Sequence, residues 1–116
     1  MRQEHVFWMA PGLAALAVAG FVSAPALAAD EAAAKALARA NNCFNCHAVD
    51  KKKVGPAWNG VAAKYKGKKD AEAIVIKHLT IVEKAKFDDG HEEDHPVIKS
   101  KNPDELKNLA NWILSL

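Results

Sequence analysis

Cysteine and methionine are both scarce in this chain of 116 residues. The only cysteines, Cys43 and Cys46, stand three apart, so no long-range disulfide can brace the fold. The only methionines are Met1 and Met9, both at the extreme start. No segment alternates apolar and polar residues for long, which excludes a sheet-built core, and no internal repeat is present. The formal net charge is +2, too small to suggest a nucleic-acid partner. The strongly apolar core near the start, Leu13 to Val22, is too short to span a membrane comfortably, since a spanning helix needs roughly 20 apolar residues. No nucleophile–base constellation stands out, and a chain of this length leaves little room for a substrate pocket, so an enzyme is not expected.

The first 28 residues read as something to be removed. Arg2 supplies a positive charge, Leu13 to Val22 form an apolar stretch interrupted by Gly20, and Ala26-Leu27-Ala28 has the small-x-small pattern of a cleavage site. Residues 1–28 are therefore expected to be a cleaved signal peptide, and residues 29–116 the exported domain, starting at Ala29 or Asp30. An uncleaved anchor is the competing reading. The short apolar core and the Ala-x-Ala site argue for removal, which leaves no membrane span. Arg2 and Glu4 depart together, so the net charge stays at +2. A domain this small buries a modest core and needs a staple of some kind.

What remains reads as helix and loop. Residues 30–42 are Ala-rich, and Glu31 and Lys35 make a favourable i,i+4 pair. From Cys43 to Gly67 the chain holds Gly55, Pro56, Gly60 and Gly67, which predicts loop with a short helical turn over Val61–Tyr65. Asp70 can cap a second helix, in which Ile74, Val75, His78, Leu79 and Val82 form a stripe. Residues 87–101, with Gly90 and Pro96, predict a polar loop. Asn102, Pro103 and Glu105 then spell a helix start with a capping box, followed by the apolar face Leu106, Leu109, Ala110, Ile113 and Leu114. The expected fold class is all-α.

Cys43-Phe44-Asn45-Cys46-His47 is a C-x-x-C-H sequence, the attachment signature of c-type haem. Its spacing lets both sulfurs reach the vinyl groups on one edge of a porphyrin and places His47 under the iron. A thioredoxin-like C-x-x-C needs a βαβ context that is absent here. A zinc site normally needs a second Cys or His pair. Export supports the haem reading, because c-type haem is attached outside the bacterial inner membrane, and a covalent haem supplies the missing staple.

With these residues in view, the chain resembles the small bacterial class I cytochromes c from about Asp30 to Leu116. The resemblance is carried by Cys43-x-x-Cys46-His47, Val54-Gly55-Pro56-Ala57-Trp58, Val61-Ala62-Ala63-Lys64-Tyr65 and Leu106-x-x-Leu109-Ala110-x-Trp112-Ile113-Leu114-Ser115. It implies three to four helices wrapped around one covalent haem c, with the first and last helices crossing. It further implies that the Pro56 carbonyl accepts a hydrogen bond from His47 Nδ1–H, and that Trp58 lies near the propionates, although Trp58 also reads simply as a core aromatic.

The chain departs from that family in the sixth iron ligand. Most members supply a methionine from the loop before the last helix, and residues 29–116 contain none. His95-Pro96 stands where the family has Met-Pro. His95 is therefore the expected distal ligand, with His91 and His78 as rivals and an open iron as the remaining option. His47/His95 ligation predicts a carrier of single electrons with a potential below its Met-ligated relatives, and export through the cleaved signal peptide puts it in the periplasm, where it is expected as a monomer. The alternative is a haem protein that binds nitric oxide, carbon monoxide or oxygen at a labile sixth position. The partners of a carrier are redox proteins. Lys51, Lys52 and Lys53 open a basic run continued by Lys64, Lys66, Lys68 and Lys69, while Asp88, Asp89, Glu92, Glu93 and Asp94 form an acidic one. Such runs are ordinarily solvated faces, but opposite patches also steer docking, here through the Lys51–Lys53 side.

Overall fold

The computed structural model describes residues 12, 15–21 and 28–116. Residues 12 and 15–21 are exposed and have no regular structure. The remainder of the expected signal peptide lies outside the described residues. Among the described residues no helix is long and apolar enough to cross a membrane.

Four helices form in chain order. The first, α1 (Glu31–Ala40), begins where the Asp30 side chain accepts the Ala33 N–H at 3.0 Å. The expected Glu31–Lys35 pair closes at 2.5 Å. Asn41 and Asn42 end the helix, and Asn42 takes the left-handed conformation with φ 58°, which asparagine tolerates better than most residues. A 3₁₀ turn over Cys43–Asn45 follows directly.

The second helix, α2 (Trp58–Tyr65), starts three residues before the predicted turn and includes Gly60. Gly60 costs helix propensity, but burial of Trp58 and Ala62 against the last helix outweighs it. In α3 (Ala71–Thr80) the buried line is Ala71, Val75 and Leu79, one side chain per turn. Ile74 lies half-buried beside it, and Val82 falls beyond the helix end and is exposed. Asp70 precedes α3 but its side chain makes no capping bond.

A small hairpin replaces part of the polar loop expected over 87–101. Strands β1 (Lys84–Lys86) and β2 (Glu92–Asp94) pair antiparallel, setting Lys84 opposite Asp94 and Lys86 opposite Glu92. Opposite charges facing across two strands favour that register. Gly90, at φ 91°, makes the turn that lets Phe87 N–H reach the His91 carbonyl at 2.9 Å.

The last helix, α4 (Pro103–Leu114), is the centre of the domain: α1, α2 and α3 all pack on it. Ala34 and Ala38 of α1 and Leu109 and Ala110 of α4 are wholly buried, and the three small alanines let the two helices approach closely. Asp30 and Asn108 lock the crossing reciprocally, Asp30 N–H donating to Asn108 Oδ1 at 2.8 Å and Asn108 Nδ2 donating to the Asp30 carbonyl at 2.9 Å. Asn102 caps α4 by accepting the Asp104 N–H at 3.0 Å. The reciprocal half of the predicted capping box is rerouted. Glu105 takes the Ser100 hydroxyl instead, and Ser100 Oγ accepts the Asn102 N–H at 3.2 Å. Replacing Asn102 by alanine removes the direct cap and should cost about 1 kcal/mol, a fall in melting temperature of about 4–8 °C for a domain of this size. Thermal unfolding followed by circular dichroism measures it.

Candidate functional site

The packing of these elements leaves a cavity of ≈ 390 Å³, of the size that holds small-molecule cofactors. The 3₁₀ turn brings Cys43 and Cys46 to it, because side chains three apart eclipse in that geometry. Both line the cavity as half-buried free thiols, and burial pushes the Cys43 thiol up. The same turn closes with the His47 N–H on the Cys43 carbonyl at 3.0 Å, which carries His47 into the cavity lining as well.

His47 is held on three sides. Its Nδ1 lies 2.8 Å from the Pro56 carbonyl. A carbonyl only accepts, so Nδ1 carries a proton, and in the neutral ring the lone pair is left on Nε2. Trp58 stacks on the ring, with centroids 5.4 Å apart and planes at 21°. Gly55 presses from a third direction: a Cβ built there would stand 2.5 Å from His47 Cε1. Trp58 is itself buried among Phe44 and Trp112, at 5.1 and 5.5 Å between centroids. It therefore meets the description of a core aromatic while also lining the cavity.

His95 enters from the segment between β2 and α4. Its N–H donates to the Glu83 carbonyl at 2.8 Å, and three residues on, Ile98 N–H donates to the Leu79 carbonyl at 2.8 Å. Asn41 Oδ1 then accepts the Lys99 N–H at 3.1 Å, tying this segment to the end of α1. The His47 and His95 rings lie 6.2 Å apart between centroids. Burial, then the neighbouring His78 and His47, hold the His95 imidazole below the usual histidine range, which favours the neutral form that metals accept. Among the described residues, His95 Nδ1 is buried without a hydrogen-bond partner.

His91 does not reach the cavity. It stacks on Phe87 at the hairpin end, its Nδ1 on Asp89 and its Nε2 3.2 Å from Glu93. His78 does line the cavity, beside His95. Of the three lysines expected to dock a partner, Lys52 pairs with Asp88 at 2.8 Å and Lys53 donates to the Phe44 carbonyl at 2.8 Å. The basic and acidic runs, separate in sequence, thus meet at Lys52.

Two thiols one turn apart, a histidine with its lone pair free and a second neutral histidine around one apolar cavity suit a covalently held haem. The family model of cytochrome c matches residues 31–116. This chain belongs to the cytochrome c family. The cytochrome is 37% identical to cytochrome c-551 of Pseudomonas denitrificans over 83 residues, covering 69% of this chain and 93% of that protein. It is 36% identical to cytochrome c-552 of Nitrosomonas europaea over 102 residues, covering 88% of this chain and 87% of the relative. Among solved structures it is similar to the class 1 cytochrome MtoD of Sideroxydans lithotrophicus ES-1, at 61% identity and a TM-score of 0.73, covering 76% of this chain and 97% of that one. The wild-type Nitrosomonas europaea cytochrome c552 structure follows at 34% identity and a TM-score of 0.55, covering 70% and 96%. The expected all-α class I fold is borne out. Cytochromes c hold one covalent haem c with its iron and carry electrons, and this one is a carrier, not an enzyme.

Gly55, Asn41 and Glu83 had no assigned role in the sequence. Gly55 was legible as a loop residue and as part of the Val54–Trp58 motif, and Asn41 only as part of the helical stretch 30–42. Nothing in the sequence marked Glu83.

Proposed function

We propose that this cytochrome moves single electrons in the periplasm between redox partner proteins. Cys43 and Cys46 hold its haem c as thioethers, and His47 and His95 ligate the iron. The observation that carries the ligand assignment is the 6.2 Å between the two ring centroids. A transition metal sits about 2.0–2.1 Å from an imidazole nitrogen, itself about 1.1 Å from its ring centroid, so two rings on opposite sides of one metal lie about 6.2–6.4 Å apart. Residues 29–116 hold no methionine to compete.

Bound haem c supplies a one-electron Fe(III)/Fe(II) couple. The protein's part is to keep that couple's surroundings constant. Pro56 fixes the His47 tautomer, so the same nitrogen faces the iron in both states. The bonds to Glu83 and Leu79 tie the His95 segment at both ends, which suits a permanent ligand better than a labile one. Leu109, Ile113 and Trp58 keep the cavity apolar. Two nitrogen ligands favour Fe(III) more than a nitrogen and a thioether do, so the potential lies below that of Met-ligated relatives.

Export through a signal peptide over 1–28 accounts for the location and leaves 29–116 as the working, monomeric domain. Lys51 and the neighbouring Val54, which is 51% exposed on the cavity rim, give a partner a mixed basic and apolar footing on the Lys51–Lys53 side.

Absorption spectra of the mature holoprotein test the reading. Low-spin bands in both oxidation states, unchanged by carbon monoxide after reduction, are expected. A high-spin component or prompt carbon monoxide binding would defeat the His47/His95 assignment and favour a small-ligand haem protein.

A further inference from the structure

The cavity holds a third histidine that the carrier reading leaves without a task. His78, in the last turn of α3, lines the cavity with its ring centroid 4.2 Å from that of His95 and the planes at 43°. Its Nδ1 is 2.9 Å from Glu83 Oε2. A carboxylate only accepts, so His78 donates from Nδ1 and its ring is fixed in place. Lys77 Nζ steadies the same carboxylate from 3.7 Å. Glu83 therefore grips both histidines: its side chain holds His78, and its backbone carbonyl holds the His95 N–H at 2.8 Å.

His95 needs such a neighbour. A ligating histidine is ordinarily oriented by a hydrogen bond from its second ring nitrogen, as Pro56 orients His47 here. The Pro96 carbonyl comes near enough to the ring to favour a proton on it, but among the described residues His95 Nδ1 makes no full hydrogen bond. The torsion that turns an imidazole about its bond to Cβ has a broad, two-fold profile. Left to itself, the ring could swing while its backbone stayed fixed.

We propose that His78, held by Glu83, is the positioning residue that sets the rotation of the His95 ring and so its 56° angle to the His47 ring. The inference rests on His95 being the iron's sixth ligand. His47 is oriented by a hydrogen bond and His95 by a neighbouring ring that is itself hydrogen-bonded.

Electron paramagnetic resonance of the oxidised holoprotein reads this directly, because the principal g-values of low-spin ferric haem depend on the angle between its two axial rings. His78→Ala and Glu83→Ala should stay six-coordinate and low-spin but shift the g-values in the same direction. Glu83→Gln keeps an acceptor for the His78 proton and should match the unmodified protein. His78 and Glu83 are both partly exposed, so the variants should fold, which far-UV circular dichroism checks. Unchanged g-values in both alanine variants would overturn the inference and leave His95 ligation standing. Equal effects of Glu83→Gln and Glu83→Ala would also overturn it, since the hydrogen bond would then be irrelevant. A His95→Ala variant with the low-spin spectrum of the unmodified protein would instead remove the ligand assignment on which the inference rests.

Discussion

Replacing His95 by methionine should raise the reduction potential by on the order of 0.1 V, a fraction of the roughly 0.8 V over which axial ligands tune haem. Imidazole is a harder, more basic donor than a thioether and stabilises the ferric state more. The thioether shifts the balance toward ferrous iron. A change of about 0.1 V corresponds to about 2.3 kcal/mol per electron, more than the cost of a lost helix cap. The substitution leaves the anchoring intact, because Glu83 and Leu79 hold the segment by backbone bonds that any side chain permits. Pro96 remains next in sequence, restoring the Met-Pro order of the family that the chain resembles. Spectroelectrochemical titration of both proteins measures the shift, and the iron should remain low-spin throughout. A potential that stays put or falls would mean that His95 does not touch the iron.

The sequence carried the proximal half of the site more completely than the distal half. Cys43, Cys46 and His47 are brought together by one 3₁₀ turn, and an arrangement made by five consecutive residues is legible in their spacing. The Pro56 contact came only through family resemblance. His95 was inferred from a missing methionine and a neighbouring proline. The surroundings of His95 were not legible, because α3, the hairpin and the segment before α4 meet only in space. Glu83 looks like any solvated acid in sequence, yet it holds His95 with one atom and His78 with another.

The same distinction runs through the fold. The start of α4 was written locally, in Asn102 and Pro103, and the structure keeps that cap. Glu105 found Ser100 instead of the expected backbone N–H, a choice between two nearby donors that spacing does not decide. The hairpin was missed because strands of three residues are too short to display a period of two, and its register rests on charges facing across the strands. The charge runs looked segregated along the chain. Folding brings Asp88 onto Lys52, so the contrast between a basic and an acidic face is smaller in space than in sequence.

Gly55→Ala tests the proposed His47 ligation. The added Cβ would stand 2.5 Å from His47 Cε1, 2.9 Å from Nδ1 and 3.0 Å from Nε2. Something must move, and each candidate is held. The His47 ring is tethered by the Pro56 carbonyl at 2.8 Å and backed by Trp58. The loop is pinned where Gly55 N–H donates to the Cys46 carbonyl at 2.7 Å and where the Gly55 carbonyl accepts the Lys53 N–H at 3.1 Å. Trp58 cannot retreat, because Phe44 and Trp112 pack against it. Overpacking of this kind costs about 1–3 kcal/mol, and about 4–8 °C of melting temperature for each kcal/mol in a domain this small. The cheapest relief is to push the ring off its hydrogen bond, which frees the His47 tautomer and loosens the nitrogen proposed to ligate the iron. The variant should therefore lose stability and gain a high-spin fraction, whereas Ala63→Gly, on the exposed side of α2, should lose only the helix-propensity difference of about 1 kcal/mol and keep a fully low-spin spectrum. Thermal melts and absorption spectra of the two variants side by side separate these outcomes. A Gly55→Ala protein with an unaltered spectrum and melting temperature would show that the ring has room the contacts deny it, and that Pro56 alone is enough to hold His47.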